Sequence, residues 1–257
     1  MIAKCTSTQL VAAAFGLAVC LGAGFGSSGA RAQAQATPDY KALMAAPDRS
    51  ADDREADKRR DPVPFLEFAG AKPGMKVLDM GAGAGYSTEL MARAVAPDGI
   101  VLGQFPPDTF PKAKEAFEAR LKTPAMADAF EDMMPFDDPV PPGIRNLDLI
   151  TFLFYYHDTT YMNVDRAKMD QKMFAALKPG GFLVLADHSA MPGADISVGK
   201  SLHRIDQAVV RHELEAAGFK LFAEGDFWRV PGDTRDFSSQ KPTSPVDAFV
   251  LKFQKPQ

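Results

Sequence analysis

Two histidines directly follow apolar runs of the kind that form buried strands, and each stands beside a carboxylate. His157 and Asp158 come after LDLITFLFYY, while Asp187 and His188 end the stretch that begins FLVLA. A neutral imidazole beside a carboxylate is a general base near neutral pH, able to take a proton from a hydroxyl or an amine. His203, in the segment LHRID, is placed to join them from a loop. We therefore predict that His157, Asp158, His188 and His203 are catalytic.

Two other interpretations of these histidines stay open. Three histidines with a carboxylate match the ligand chemistry of zinc or iron, but they are dispersed and lack H-x-H or H-E-x-x-H spacing. The sequence therefore assigns no metal ligand. Alternatively, each histidine caps a strand end by bonding to the backbone or to an aspartate. His212, between Arg211 and Glu213 in a helical segment, is interpreted as a solvated residue.

Glycines in VLDMGAGAGYST provide a second group of candidate residues. Gly81, Gly83 and Gly85 lie between an apolar run and an amphipathic segment, which predicts a strand, a glycine-rich turn and a helix. Glycine allows a tight turn and lets the backbone approach a ligand, and a helix N-terminus favours negatively charged groups. The spacing is G-x-G-x-G, with Asp79 before it, and differs from the G-x-G-x-x-G of dinucleotide sites.

The elements that must position these residues alternate along the chain. Short apolar runs separated by helical segments predict a parallel sheet covered on both faces, and the last two runs fit an antiparallel pair. If the strands that precede Asp79, His157 and His188 are adjacent in the sheet, their carboxyl ends, about 4.8 Å apart, would bring the histidines and Asp79 to one cleft. A continuous helix is expected from Leu202 to Ala217, and residues 130–143 are expected to be mostly loop with one weak strand.

The glycine segment resembles motif I of the class I S-adenosylmethionine-dependent methyltransferases. LKPGGFLVLAD (177–187) and LDLITFLF (147–154) are similar to the fifth and fourth strand regions of that superfamily. Within that superfamily, the chain resembles an exported bacterial group of predicted methyltransferases. The resemblance implies an α/β, Rossmann-like fold: a seven-stranded mostly parallel sheet with helices on both faces and an antiparallel last strand.

The same resemblance implies S-adenosylmethionine as the cofactor. It would lie over Gly81, Gly83 and Gly85, with Asp79 near its methionine end. Tyr86, next to the last glycine, belongs to the same predicted set.

One position departs from the pattern of that superfamily. An acidic residue usually ends the second strand and holds the ribose hydroxyls, but here the position is Gln104. An amide can hydrogen-bond a hydroxyl, although without the strength of a charged acceptor. Gln104 is included in the predicted cofactor set. The acid that contacts adenine in the superfamily would correspond to Glu131 or Asp132.

The first 32 residues resemble a secretory signal peptide. An apolar run over 10–25 precedes an A-x-A pattern at Ala30–Ala32, and the run is shorter than the roughly 20 residues of a membrane span. An uncleaved anchor, or lipid attachment at Cys20, is the alternative. Cleavage would remove both cysteines and change the formal net charge from −4 to −6, leaving no thiol chemistry. The interpretation predicts a periplasmic or secreted protein.

Together these patterns predict a leader over 1–32, a polar arm over 33–62 and a methyltransferase-like domain over 63–257. The expected activity is methyl transfer from S-adenosylmethionine to a small-molecule substrate. The alternative is an exported protein of this fold that holds another nucleoside-like ligand or a metal and transfers no methyl group. The acidic balance of 29 basic to 33 acidic residues argues against a nucleic-acid partner. No stable membrane span is expected after signal cleavage, and the sequence leaves the oligomeric state open.

Overall fold

The computed structural model describes residues 36–257. The predicted signal peptide lies outside these residues. Within 36–257, no helix has both the length and the apolar composition that a membrane crossing requires.

Seven strands form one mixed sheet in the order β3-β2-β1-β4-β5-β7-β6. Strands β1 to β5 run parallel, whereas β7 lies antiparallel between β5 and β6. The prediction of a mostly parallel, Rossmann-like sheet with an antiparallel end is confirmed. The strands are β1 Lys76–Met80, β2 Ile100–Gln104, β3 Ala129–Asp132, β4 Leu147–Leu153, β5 Leu177–His188, β6 Lys220–Gly225 and β7 Ala248–Gln254.

Eight α-helices connect and flank the strands in the described part of the chain. They are α1 Tyr40–Met44, α2 Ala51–Arg60, α3 Pro62–Ala69, α4 Tyr86–Val95, α5 Pro111–Leu121, α6 Arg166–Ala176, α7 Val198–Leu202 and α8 Gln207–Ala216. Short 3-10 helices lie at Pro124–Met126 and His157–Thr160.

Alternate residues of the strands build two hydrophobic cores, one on each face of the sheet. Val77 of β1 packs in the core that includes residues of α3, α4 and α5. Its neighbour Leu78 packs in the core that includes residues of α6 and α8. Because side chains of a strand point alternately to opposite faces, the central strands need apolar residues at nearly every position. This explains their uninterrupted apolar runs.

The segment before α8 differs from the sequence expectation. Helix α8 begins at Gln207 with Asp206 as its N-cap, so residues 203–206 are not helical. Ile205 instead forms a parallel bridge with Ser189 and donates its N–H to the carbonyl of His188. The reason is a buried anchor: Arg204 is fully buried and pairs with Asp233 at 2.8 Å. The chain therefore forms one more parallel bridge beyond the end of β5 before it enters α8.

The polar arm forms helices that are attached to the domain by ion pairs. Asp53 of α2 pairs with Arg120 of α5 at 2.6 Å, and Asp48 pairs with Arg93 of α4 at 3.0 Å. The side chain of Ser50 accepts a hydrogen bond from the N–H of Asp53, which caps α2. Part of the charge of the polar arm therefore lies against the body of the protein.

Candidate functional site

The glycine-rich loop (81–85) joins β1 to α4, and its three glycines have different surroundings. All three have positive φ angles. A Cβ on Gly81 would lie 3.1 Å from Tyr155, and one on Gly85 would lie 2.9 Å from Phe117. A Cβ on Gly83 would approach nothing closer than the carbonyl of Gly81, at 3.9 Å. Two glycines therefore allow close packing within the protein, and Gly83 faces open space.

Asp79, at the end of β1 before this loop, bonds to the elements around it. Its carboxylate is fully buried and accepts hydrogen bonds from the hydroxyls of Ser87, Thr88 and Thr151, each at 2.7 Å. Burial raises the pKa of Asp79, against the effect of these hydrogen bonds. The side chain links β1 to β4 and to the first turn of α4. Asp79 therefore fixes the position of the helix N-terminus, and its predicted contact with a cofactor stays a prediction.

Gln104 is also buried beneath the loop. Its Oε1 accepts from the N–H of Gly81 at 3.1 Å, and its Nε2 donates to the carbonyl of Met134 at 2.6 Å. Its main-chain carbonyl accepts from Ala82 at 2.8 Å. An ionised carboxylate at this position could not donate to the carbonyl of Met134, whereas the amide of Gln104 links the loop after β1 to the segment after β3. Its predicted contact with the cofactor ribose is left untested by this geometry.

The two acidic candidates at the end of β3 have different environments. Glu131 pairs with Lys114 at 2.9 Å. Asp132 is buried, and its Oδ2 has no hydrogen-bond partner among the described residues. Burial raises the pKa of Asp132 to about 7. An unpartnered buried carboxyl oxygen is costly, and a ligand that donates a hydrogen bond would remove the cost.

The four predicted catalytic residues lie together at the ends of β4 and β5, where they form what we call the histidine cluster (His157, Asp158, His188 and His203). The ring of His157 lies 5.5 Å from that of His203 and 6.3 Å from that of His188, centroid to centroid. The structure thus brings together residues from three separate segments. Their catalytic roles stay predictions.

His157 is buried between two carboxylates. Its Nδ1 lies 2.7 Å from Oδ1 of Asp187, and its backbone N–H donates to Oδ2 of the same residue at 2.8 Å. Its Nε2 lies 3.3 Å from Oδ1 of Asp158. Burial alone would lower the pKa of His157, but the charge of Asp187, its hydrogen bond to the ring and the nearby charge of Asp158 raise it to about 10. In this arrangement His157 is a cation at neutral pH, so it is not a free base.

Asp158 lies at the centre of the cluster. Its Oδ1 is 3.4 Å from Nδ1 of His203 and accepts a hydrogen bond from the hydroxyl of Tyr161. The neighbouring histidines and Tyr161 outweigh burial and lower the pKa of Asp158. His203 has a φ of 50° and contacts the exposed side chain of Gln240 through its Nδ1, at 3.1 Å. A backbone in this region is costly for a residue other than glycine and is frequent at functional sites.

His188 has the opposite electrostatic character to His157. Its ring stacks on Phe154 at 4.8 Å, and its buried Nδ1 has no hydrogen-bond partner within 36–257. Burial lowers the pKa of His188 to about 4, so the imidazole is neutral at neutral pH. Trp228 lies beyond Phe154 at 5.3 Å. His188 therefore offers an uncharged nitrogen beside an aromatic wall.

The arm supplies residues near the loop that the sequence pattern does not single out. Tyr86, the first residue of α4, donates its hydroxyl to Asp57 at 2.6 Å, and the guanidinium of Arg60 lies 4.7 Å from the centre of its ring. Trp228 donates its indole N–H to the carbonyl of Arg60 at 2.6 Å. The sequence gives no signal for these contacts. The charged residues of α2 resemble those of any exposed helix, and only the tertiary structure shows which of them face Tyr86 and Trp228.

Asp108 is a second residue that sequence reasoning does not identify. It follows β2 in an exposed turn, and its charge contributes to the raised pKa of Tyr155, after burial and Asp158. Tyr155 itself packs against Gly81. Asp108, four residues after Gln104, therefore places a negative charge within electrostatic range of Tyr155.

Comparison with known proteins gives partial sequence matches. A family model for protein-L-isoaspartate(D-aspartate) O-methyltransferase matches residues 63–124. The ubiquinone/menaquinone biosynthesis C-methyltransferase UbiE of Shewanella pealeana is 31% identical over 127 residues, which is 48% of this chain and 47% of that protein. UbiE of Idiomarina loihiensis is 27% identical over 51% of this chain and 50% of its own length. The chain thus spans about half the length of these relatives.

Solved structures share the fold at low identity. An arsenic(III) S-adenosylmethionine methyltransferase from Chlamydomonas reinhardtii has a TM-score of 0.58 at 17% identity, covering 86% of this chain and 74% of its own. A SAM-dependent methyltransferase from Aquifex aeolicus has a TM-score of 0.56 at 17% identity, covering 79% and 97%. The chain therefore has the fold of solved S-adenosylmethionine-dependent methyltransferases, and its partial sequence matches are to methyltransferases.

Proposed function

We propose that this protein binds S-adenosylmethionine at the glycine-rich loop and transfers its methyl group to a small-molecule acceptor. The observation that carries the proposal is the open space above Gly83, where neighbouring glycines are packed against side chains. The N-terminus of α4 borders the same loop and has no side-chain cap, so its N–H groups favour a carboxylate. These features fit the methionine end of the cofactor.

The opposite end of the cofactor would lie beside Asp132. The unpartnered Oδ2 of this residue fits the amino group of adenine, which donates hydrogen bonds. Between the two ends, Gln104 holds the loop, and we assign the ribose contact to Asp108 in the turn after β2. When bound, S-adenosylmethionine supplies a methyl group on a sulfonium, which is open to in-line attack by a nucleophile.

The residues of the chain have two tasks toward the acceptor. Methyl transfer depends mainly on holding the nucleophile in line, and the wall formed by Phe154 and Trp228 offers a face on which an acceptor can pack. The neutral imidazole of His188 accepts a hydrogen bond from the acceptor hydroxyl or amine and takes the proton that this group loses when it is methylated. His157, held as a cation by its carboxylates, orients Asp158 rather than accepting the proton.

Calorimetric titration of S-adenosylmethionine tests the proposal. The full chain should bind it, and Gly83→Ala should bind about 10–100-fold more weakly because the added methyl group enters the ligand space. Gly143→Ala is the matched control. Gly143 also has a positive φ (88°) and open space around it, but it lies in an exposed turn before the amino end of β4. The control therefore reproduces the backbone strain without the clash.

Two results would contradict the proposal. Wild-type protein that does not bind S-adenosylmethionine would exclude the cofactor assignment. Equal losses in Gly83→Ala and Gly143→Ala would show that strain, and not occupation of the loop, weakens binding. Formation of S-adenosylhomocysteine with candidate acceptors then tests the transfer itself.

A further inference from the structure

We propose that His157, Asp158 and His203 bind a divalent transition metal of the zinc or iron(II) class. One ligand atom from each residue, two imidazole nitrogens and one carboxylate oxygen, lies within 4.8 Å of both others. Two histidines and one carboxylate form a donor set that both metals accept in enzymes. The proposal stands independently of the cofactor site, because none of the three residues belongs to the glycine-rich loop.

The separations of the ligand atoms fit a shared cation. Nε2 of His157 lies 3.3 Å and Nδ1 of His203 lies 3.4 Å from Oδ1 of Asp158. Charge-assisted hydrogen bonds are shorter, about 2.7–2.9 Å. Ligand atoms at about 2.0–2.1 Å from a tetrahedral zinc ion lie about 3.3–3.5 Å from one another. Both distances therefore match the edge of a coordination polyhedron.

The surroundings of His157 provide an independent observation. Histidines that bind a metal commonly donate their second ring N–H to a carboxylate, which fixes the tautomer and makes the ligand more basic. Nδ1 of His157 lies 2.7 Å from Oδ1 of Asp187, whose side chain is fully buried. The ring is thus oriented with Nε2 toward Asp158, and a metal bound there would displace the Nε2 proton that the cationic ring carries in the metal-free protein.

His203 is held in place by a buried anchor on the next residue. Arg204 is fully buried and bonds to the carbonyls of Ser189 and Phe237 as well as to Asp233. The left-handed backbone of His203 therefore belongs to a segment with fixed ends. The backbone of His203 is in a conformation that costs free energy, and the buried Arg204 beside it keeps it there. This is expected of a preorganised binding site.

The site would be of the open type. It has three protein ligands, and catalytic zinc sites typically have three, with water or substrate at the fourth position. The side chains of Asp158 and His203 remain 15% and 18% exposed, so water reaches the cluster. The exposed side chain of Gln240, now 3.1 Å from Nδ1 of His203, would turn away when the metal binds.

Metal binding by the full chain tests the proposal. Protein stripped with a chelator is titrated with zinc(II), and with cobalt(II), whose visible absorption reports coordination geometry. Wild-type protein should bind one ion at this site. His203→Ala and Asp158→Asn should each bind it more than about 100-fold more weakly, since loss of outer partners alone costs 10–100-fold. The matched control is His212→Ala, which removes an exposed histidine of α8 and should bind as wild type does.

The variant Asp187→Asn tests whether the three residues form a metal site or only a hydrogen-bonded cluster. It leaves all three ligands in place and should weaken zinc binding about 10–100-fold. Equal affinity of wild-type protein and His203→Ala, or no tight binding by wild type at all, would overturn the proposal. Titration of S-adenosylmethionine in the same preparations keeps the two proposals apart, because a protein without metal can still bind the cofactor.

Discussion

The glycine-rich loop and the histidine cluster lie at the same edge of the sheet but are built differently. The loop is one continuous stretch, held by a hydrogen bond from Gly81 to Gln104 and by the bonds from the first turn of α4 to Asp79. The cluster takes residues from the end of β4, the end of β5 and the segment before α8, and charges dominate its contacts. The difference suggests that local geometry sets cofactor binding, whereas long-range packing sets the chemistry beside it. Three substitutions test this contrast, in addition to the two titrations described above.

The largest effect is expected at the base of the loop. Asp79→Ala removes three hydrogen bonds and leaves three buried or partly buried hydroxyls without their acceptor, so we expect a loss of about 4 kcal/mol in the free energy of unfolding. Urea denaturation followed by circular dichroism measures it. Ser87→Ala, which removes a single donor, should cost about 1 kcal/mol. A similar small cost for both variants would mean that the network does not hold the loop.

A smaller effect is expected in the histidine cluster. Asp187→Asn removes the charge that faces His157 and should cost about 3 kcal/mol at pH 7, measured by urea denaturation in the presence of a chelator. The folded-state pKa of His157, about 10, exceeds the unfolded value of 6.5. The stabilisation is therefore complete below pH 6.5 and is lost as the pH rises through 10. Wild type should lose more stability between pH 7 and 10 than the variant, and equal losses would contradict the assignment of a cationic His157.

The smallest effect is expected at Asp132. Its folded pKa of about 7 lies above the unfolded value of 3.8, so the stability linked to its proton is present below pH 3.8 and lost as the pH rises through 7. Between pH 5 and 8, wild type should lose about 1 kcal/mol more than Asp132→Asn, after allowance for partial solvation. Asp170, with a pKa raised to about 8, titrates in both proteins and cancels in the difference. Identical pH profiles would mean that Asp132 is ionised throughout.

Much of the fold was predictable because it depends on local patterns. Apolar runs bounded by turns locate the central strands, and Asp98-Gly99 marks a turn along the chain, whereas Pro179-Gly180, which predicts another turn, lies within β5. Two boundaries differ. Strand β5 begins at Leu177, before the Pro-Gly pair, because its first residue already pairs with Leu147. Helix α8 begins five residues later than expected, because the burial of Arg204 outweighs helical propensity.

The sequence by itself determined the alternation of strands and helices, the glycine-rich loop after β1 and the histidines after β4 and β5. Each follows from contacts between residues close in the chain. Only the tertiary structure decided which glycine faces open space, which histidine is charged and how His203 reaches Asp158. Burial and electrostatic environment arise from segments far apart in sequence, so His157 and His188 differ in charge although each follows a similar apolar strand.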